Sequence, residues 1–226
     1  PMRLRLTNME VSSLSREGYR SRTNKTVWIF AAVYLGLAVV SFFSYWAAGM
    51  SAFDAINHAF SVIATGGFST KNMSIAAFDS NLINILTIIF MFLSSVHFGL
   101  IYMVFATRSL RPLNNPVLKF YVLTILIASL LVALSLKMSS AGFTWGDSFM
   151  TGIFQVISFI STTGFAISDN NTWPLFACFI VVLVSIPCGM AGSTTGGIKS
   201  DRMLLMFKTI GQQIKNSVHP SSINQV

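Results

Sequence analysis

Long stretches without charge decide what this 226-residue chain can fold into. A helix that crosses about 30 Å of hydrocarbon needs roughly 20 mostly apolar residues. Three stretches are long enough and contain no charged residue except Lys119; they are residues 26–48, 81–107 and 116–136. Only 10% of all residues are charged, whereas soluble domains have about a quarter. The sequence therefore predicts a membrane protein with full spans in these three windows.

Two further apolar runs, at residues 51–64 and 147–161, are too short to cross the bilayer. Each one leads into a segment of threonine and glycine, which a polar stretch follows. We expect each run to enter the membrane as a half-length helix and to return to the same side. Such irregular backbone is tolerated only where protein buries it or where it lines a water-filled cavity. The alternative is an ordinary turn between two apolar helices.

The order of span, half-length helix, Thr/Gly loop and second span occurs twice, which indicates an internal repeat. Placing Gly67 on Gly164 also aligns three identical pairs: Ser61 with Ser158, Thr65 with Thr162, and Phe68 with Phe165. Internal repeats are common in membrane transport proteins. The predicted fold class is an all-α membrane protein built from tandem span–pore-loop–span repeats.

The two Thr/Gly loops offer what a desolvated cation needs. Backbone carbonyls can replace the water shell of an ion without a fixed charge, and glycine adopts the backbone angles that turn carbonyls inward. The half-length helix before each loop also directs its partly negative C-terminal end at the cavity. Eight residues are predicted to form half of an ion-selectivity filter: Thr65, Gly66, Gly67, Phe68, Thr162, Thr163, Gly164 and Phe165.

The basic residues predict the orientation. If the N-terminus is cytoplasmic and both loops return to the outside, only Lys71 and Lys137 of the 15 Lys and Arg lie outside, in agreement with the positive-inside rule. The net charge of +8 then follows from topology, and a nucleic-acid partner is not needed to explain it. Asp54 and Asp147 are expected to cap the half-length helices.

Three stretches resemble the Trk/Ktr/HKT superfamily of potassium transporters, most closely its bacterial TrkH-type members. They are ATGGFST at residues 64–70, STTGF at residues 161–165 and GMAGSTTGGIK at residues 189–199. The resemblance implies four span–pore–span repeats in one chain, arranged as in a potassium channel tetramer. This sequence corresponds to the second and third of these repeats.

The third stretch interrupts the last apolar segment, where Pro187 and clustered glycines are expected to end a helix. The resemblance implies an intramembrane loop beneath the filter that obstructs the pore and moves during gating. Its predicted residues are Gly189, Ala191, Gly192, Ser193, Thr194, Thr195, Gly196 and Gly197. The alternative is a kink that merely lets helices pack closely.

The resemblance further implies transport of potassium, which would bind only at the filter residues, with no bound cofactor. It implies a multi-pass protein of the bacterial inner membrane, in contact with lipid, working as a homodimer with a cytoplasmic nucleotide-binding regulatory subunit. Glycine at positions 67 and 164 favours potassium over sodium. The open alternatives are a sodium-permeable or cation-coupled symporter of the same superfamily, a non-conducting fragment or subunit, and a carrier of small organic solutes.

The predicted organisation has five parts. They are a cytoplasmic N-terminal segment at residues 1–25, a first repeat at 26–107, a cytoplasmic linker at 108–119, a second repeat at 120–216 and a cytoplasmic tail at 217–226. Cys178 and Cys188, ten residues apart on one predicted helix, would be separated by about 15 Å, too far for a disulfide. No arrangement of catalytic side chains is visible, so an enzyme is not expected.

Overall fold

The structure, a computed structural model, describes residues 23–139 and 144–218. Residues 1–22 of the predicted N-terminal segment and 219–226 of the predicted tail lie outside the described residues. The described part is almost wholly helical. Its α-helices are α1 (Thr23–Ala47), α2 (Ala52–Ile63), α3 (Asn81–Ser95), α4 (Phe98–Thr107), α5 (Pro116–Met138), α6 (Trp145–Ile160), α7 (Leu175–Val184) and α8 (Ser200–Val218).

Two short strands and three 3₁₀ helices complete the described elements. Strands β1 (Pro187–Cys188) and β2 (Ile198–Lys199) pair in parallel, with Pro187 opposite Ile198. The 3₁₀ helices are Ser74–Phe78, Arg111–Leu113 and Asn170–Thr172. The prediction of an all-α membrane protein with tandem span–pore-loop–span repeats is confirmed, and the two paired two-residue strands are the only strands in the described part.

Helices α1 and α5 are the long apolar spans. Within α1, Thr26–Ala47 is long and apolar enough to cross a membrane, and so is the whole of α5. Helix α5 begins with Pro116 directly after the N-cap Asn115, whose side chain accepts a hydrogen bond from the Val117 amide at 2.8 Å. Proline suits this first position because its missing N–H would have no helical partner there.

The full span predicted at residues 81–107 is divided into two helices. Helix α3 ends at Ser95, α4 begins at Phe98, and the two are bent by 98°. Neither proline nor glycine lies at the break, where Val96 has extended backbone (φ −84°, ψ 149°). Instead, the carbonyls of Ser94 and Ser95 accept hydrogen bonds from a distant segment of the chain. Tertiary contacts therefore compensate the lost helical bonds, and local sequence does not signal the break.

The half-length helices α2 and α6 have the predicted short form, with 12 and 16 residues. Their N-caps are Ser51 and Thr144, whose hydroxyls accept the amides of Asp54 and Asp147 at 3.1 and 3.2 Å. The same hydroxyls donate to the two carboxylates at 2.8 and 2.6 Å. Both aspartates thus take part in capping, in the first turn and not at the cap position itself.

Helix α6 packs closely against α5 at Gly152. A Cβ atom on this residue would lie 3.1 Å from the Ser129 carbonyl oxygen and 3.2 Å from the Ala133 nitrogen. Small residues allow such close approach of helix backbones in membranes. The seam between α5 and α6 therefore holds the second half-length helix against its span.

We expect Gly152→Leu to destabilise the protein by about 1–3 kcal/mol, because the added side chain has no room between the two backbones. The measurement is the thermal unfolding temperature of the full-length protein in detergent. Gly36→Leu is the matched control, since Gly36 is an exposed residue of α1 with nothing within 4 Å of its Cβ position. Equal unfolding temperatures for the two variants would contradict close packing at this seam.

Candidate pore loops and glycine loop

The two pore loops, residues 65–69 and 162–166, repeat the same backbone conformation. The first threonine of each has a positive φ, 51° at Thr65 and 55° at Thr162, and so do Gly67 at 68° and Gly164 at 85°. Positive φ is uncommon for residues other than glycine. The aligned threonine and glycine pairs of the sequence repeat are therefore also equivalent in the sign of φ.

The backbone hydrogen bonds of the loops repeat as well. The amides of Gly66 and Thr163 donate to the carbonyls of Ser61 and Ser158 at 2.8 and 3.0 Å. Ser61 and Ser158, which are also aligned in the sequence repeat, thus supply the carbonyl acceptors that turn each loop back onto its helix. Among the described residues, no recorded hydrogen bond ends on the carbonyl oxygens of residues 65–67 or 162–164. Carbonyls without a protein partner at membrane depth need water or a cation as their partner.

The pore loops are in direct contact at Gly67. A Cβ atom on this residue would overlap the carbonyl oxygen of Thr163 and lie 3.3 Å from the carbonyl carbon of Gly164. In contrast, a Cβ atom on Gly164 would meet nothing within 4 Å. Space therefore requires glycine at 67, where the backbone angle also favours it, whereas at 164 only the backbone angle favours glycine.

The aromatic residues of the two pore loops have different surroundings. Phe165 is only 1% exposed and stacks on His58 of α2, with ring centroids 5.8 Å apart and an interplanar angle of 27°. Phe68 is 82% exposed. Phe165 therefore packs against the helix that precedes the first pore loop, whereas Phe68 is largely exposed in the part of the chain that the structure describes.

The glycine loop, residues 189–197, connects β1 to β2 and separates α7 from α8. The parallel strands bring its two ends together, and the Ser200 hydroxyl donates to the Cys188 carbonyl beside them. The expected break of the last helix at Pro187 and the glycines is observed. Because Cys188 lies in β1 and not in a helix continuous with Cys178, the assumed helical spacing of the cysteines is wrong; both are free thiols.

The glycine loop contacts the first threonine of both pore loops. The Thr65 hydroxyl shares its hydrogen between the carbonyls of Ala64 at 2.7 Å and Thr194 at 3.0 Å, and the Gly196 amide donates to the Thr162 hydroxyl at 2.9 Å. Next to these contacts, the Lys199 ammonium donates to the carbonyl of Thr195. The structure therefore brings all three predicted segments together at one place.

The other side of the glycine loop docks on the broken end of α3. The Met190 amide donates to the Ser95 carbonyl at 2.9 Å, and the Thr194 hydroxyl donates to the Ser94 carbonyl at 3.1 Å. In return, the Gly192 carbonyl accepts the first amide of α4, that of Phe98, at 3.0 Å. The loop thus satisfies backbone groups on both sides of the break.

Two buried side chains on either side of the glycine loop were not singled out from the sequence as parts of this site. Asp201 of α8 accepts the Ala191 amide at 2.7 Å. His97 forms the N-cap of α4, where its Nδ1 accepts the Gly99 amide at 2.8 Å. A Cβ atom on Gly192, which has φ 76°, would lie 2.9 Å from His97 Nε2. The residues next to His97 in the sequence are uncharged, and nothing in them predicts its contact with Gly192.

Within the part of the chain that the structure describes, no group of three or more His, Cys, Asp or Glu could hold a metal ion. The oxygen atoms gathered at the loops belong instead to backbone carbonyls and to threonine and serine hydroxyls. Such ligands suit a weakly held monovalent cation that must also leave.

Half-length helices, re-entrant loops of unusual backbone and spans broken at membrane depth define a membrane protein of the pore-loop class. A family model described as TrkH, cation transport protein, matches residues 2–226. The chain belongs to the TrkH family.

Known proteins are similar over nearly the whole chain. The Trk system potassium uptake protein TrkH of Escherichia coli K12 is 36% identical over 211 residues, which is 91% of this chain and 42% of the relative. The TrkG protein of the same organism is 33% identical over 206 residues. The crystal structure of the potassium transporter TrkH from Vibrio parahaemolyticus matches with a TM-score of 0.88 and 32% identity, over 98% of this chain and 48% of that chain. The chain thus spans less than half the length of these relatives.

We expect Gly192→Ala to loosen the glycine loop, because the new methyl group meets His97 and the positive φ adds about 1–3 kcal/mol of strain. The readout is the maleimide labelling rate of Cys188, which is buried, in a Cys178→Ser background. The labelling rate should rise at least about fivefold, because a loss of about 1 kcal/mol or more in the stability of the docked loop increases the exposed population by that factor. Gly196→Ala is the control, since its nearest neighbour would be 3.8 Å away. Equal labelling of both variants would contradict tight docking.

Proposed function

We propose that the pore loops form two of four segments of a potassium-selectivity filter, and that the glycine loop obstructs the ion path beneath them. The observation that carries the proposal is the pair of carbonyl rows at residues 65–67 and 162–164, without protein partners among the described residues and in the same conformation. A cation that has lost its water shell finds its ligands in such rows.

The names of the relatives support potassium as the transported ion, since they are potassium uptake proteins. Gly67 and Gly164 support the filter itself, because glycine adopts at little steric cost the positive φ that turns carbonyls inward. We place the first repeat at residues 26–107, the linker at 108–119 and the second repeat at 120–216. Two further repeats, outside this sequence, would complete the filter.

We also propose the surroundings of the protein from family membership and charge. The chain would lie in the bacterial inner membrane with residues 1–25 and 217–226 in the cytoplasm, because basic residues concentrate on that side. A homodimer and a cytoplasmic nucleotide-binding regulatory subunit are the proposed partners. Potassium would be cargo at the filter, without a catalytic reaction or a resident cofactor.

The obstruction follows from the contacts of the glycine loop with Thr65 and Thr162. Both threonines begin their filter segments, so a loop bonded to both lies across the inner end of the path. The Lys199 ammonium donates to the Thr195 carbonyl and so fastens the loop to the start of α8. The proposed obstruction is therefore steric.

Replacing the filter glycines by serine tests the filter. We expect Gly67→Ser to lower the ratio of Rb⁺ to Na⁺ flux about tenfold, which corresponds to about 1.4 kcal/mol, because the side chain displaces the Thr163 carbonyl. Gly164→Ser should have a smaller effect, since its side chain has space. The measurement is ion flux into liposomes containing the full-length protein.

Gly36→Ser in α1 is the matched control for these substitutions, because nothing lies within 4 Å of its Cβ position. Unchanged selectivity in both filter variants would remove the pore loops from the filter. Flux from this chain alone would contradict the need for two more repeats, whereas its absence, with flux from the full-length protein, would identify the sequence as a fragment of the conducting unit.

Deleting residues 193–195 tests the obstruction. We expect Rb⁺ flux to rise several-fold, because the deletion removes the Thr194 carbonyl bonded to Thr65 and the Thr195 carbonyl bonded to Lys199. Gly196→Ala keeps the loop length and should leave flux near the wild-type value. A correctly inserted deletion variant with unchanged or lost flux would exclude obstruction by the loop.

A further inference from the structure

His58 of α2 contacts parts of both pore loops and lies outside the predicted filter residues. The side chain is fully buried. Its Nδ1 is 2.7 Å from the Asp54 carbonyl oxygen, and its Nε2 is 2.9 Å from the Ser69 hydroxyl at the end of the first pore loop. Its ring stacks on Phe165 of the second pore loop. One side chain therefore joins the two loops.

The hydrogen bonds fix the proton of the neutral ring. A carbonyl oxygen can only accept, so Nδ1 carries the hydrogen and donates it to Asp54. Nε2 then accepts the hydrogen of the Ser69 hydroxyl, and this hydroxyl accepts the Lys71 amide at 3.1 Å. The residue that ends the first pore loop is thus held by a directed chain of hydrogen bonds from the helix behind it.

Asp54 strengthens the attachment of the same segment. Its carboxylate accepts the Thr70 hydroxyl at 2.5 Å and forms an ion pair with Lys71 at 3.4 Å. The Ser51 hydroxyl donates to the same carboxylate. Asp54 therefore keeps the residues after the loop next to α2. His58 and Asp54 hold consecutive residues of one short stretch, Ser69 to Lys71.

The second repeat has a matching arrangement. Gln155 is the residue of α6 that aligns with His58, it is fully buried, and its amide donates to Asn170 beyond the second pore loop at 3.1 Å. A polar side chain at this position of the half-length helix thus holds the segment after the loop in both repeats. Only His58 adds a flat ring against the aromatic residue of the neighbouring loop.

We propose that His58 is a positioning residue for ion selectivity, which sets the spacing of the two pore loops through Ser69 and Phe165. This inference rests on the proposed filter. Filter carbonyls discriminate between ions by their number and position, so a support shared by both loops affects selectivity more than total flux. A purely structural histidine would affect the amount of folded protein and leave the ion preference unchanged.

The test measures Rb⁺ and Na⁺ flux in liposomes with the full-length protein. His58→Phe keeps a ring against Phe165 and removes both histidine hydrogen bonds, whereas Ser69→Ala removes the bond to Nε2 together with the bond that Ser69 accepts from the Lys71 amide. We expect each variant to lower the Rb⁺ to Na⁺ flux ratio at least about threefold, since the loss of even one hydrogen bond has an effect of that size. The double variant should lose less than the two single losses combined, because both substitutions remove the shared bond between His58 and Ser69.

Asn57→Ala is the control on the same helix, since Asn57 is exposed and bonds only to its own helix at Phe53. Wild-type selectivity in His58→Phe, or strictly additive losses in the double variant, would overturn the inference. If the His58→Phe protein is not inserted into the membrane, the Ser69→Ala variant is the test. A wild-type Rb⁺ to Na⁺ flux ratio in that variant would then overturn the inference. A change in Gly67→Ser with none in the His58 and Ser69 variants would refute the inference and leave the filter proposal intact.

Discussion

The docking of the glycine loop on the break between α3 and α4 is the interaction on which the arrangement depends. Each broken helix leaves amides and carbonyls unpaired at a depth where lipid offers no partner, at a cost of several kcal/mol for each unsatisfied group. Here the loop between α7 and α8 donates to Ser94 and Ser95 and accepts from Phe98. The break between α3 and α4 and the glycine loop thus supply hydrogen-bond partners to each other, and each depends on the other for its stability.

This mutual compensation also fixes the place of the glycine loop. Gly189 lies so close to α3 that a Cβ atom would be 2.7 Å from the Ser95 carbonyl oxygen, and Gly192 lies against the imidazole ring of His97. Close contact at both glycines leaves the loop little freedom in position. The remaining face of the loop therefore meets Thr65 and Thr162 at a defined height beneath the pore loops.

The sequence predicts the parts of this protein whose signal is local. Helix lengths follow from the uncharged windows, and the repeat follows from four identical pairs, which the backbone angles of Thr65, Gly67, Thr162 and Gly164 reproduce. The break at Val96 could not be predicted, because its cause lies about a hundred residues away in the glycine loop. The role of His58 was hidden for the same reason, since Ser69 and Phe165 reach it only through folding.

At positions 65 and 162, the hydrogen bonds of a threonine hydroxyl offset the strain of a left-handed threonine backbone. A left-handed backbone costs a residue with a Cβ atom roughly 1–2 kcal/mol, which glycine would avoid. Glycine, however, has no hydroxyl. Thr65 uses its hydroxyl as a donor to Thr194, and Thr162 uses its hydroxyl as an acceptor for Gly196. At about 1 kcal/mol for each bond, the two contacts offset much of the strain. The conformation of the pore loops and the position of the glycine loop are therefore linked through these two side chains.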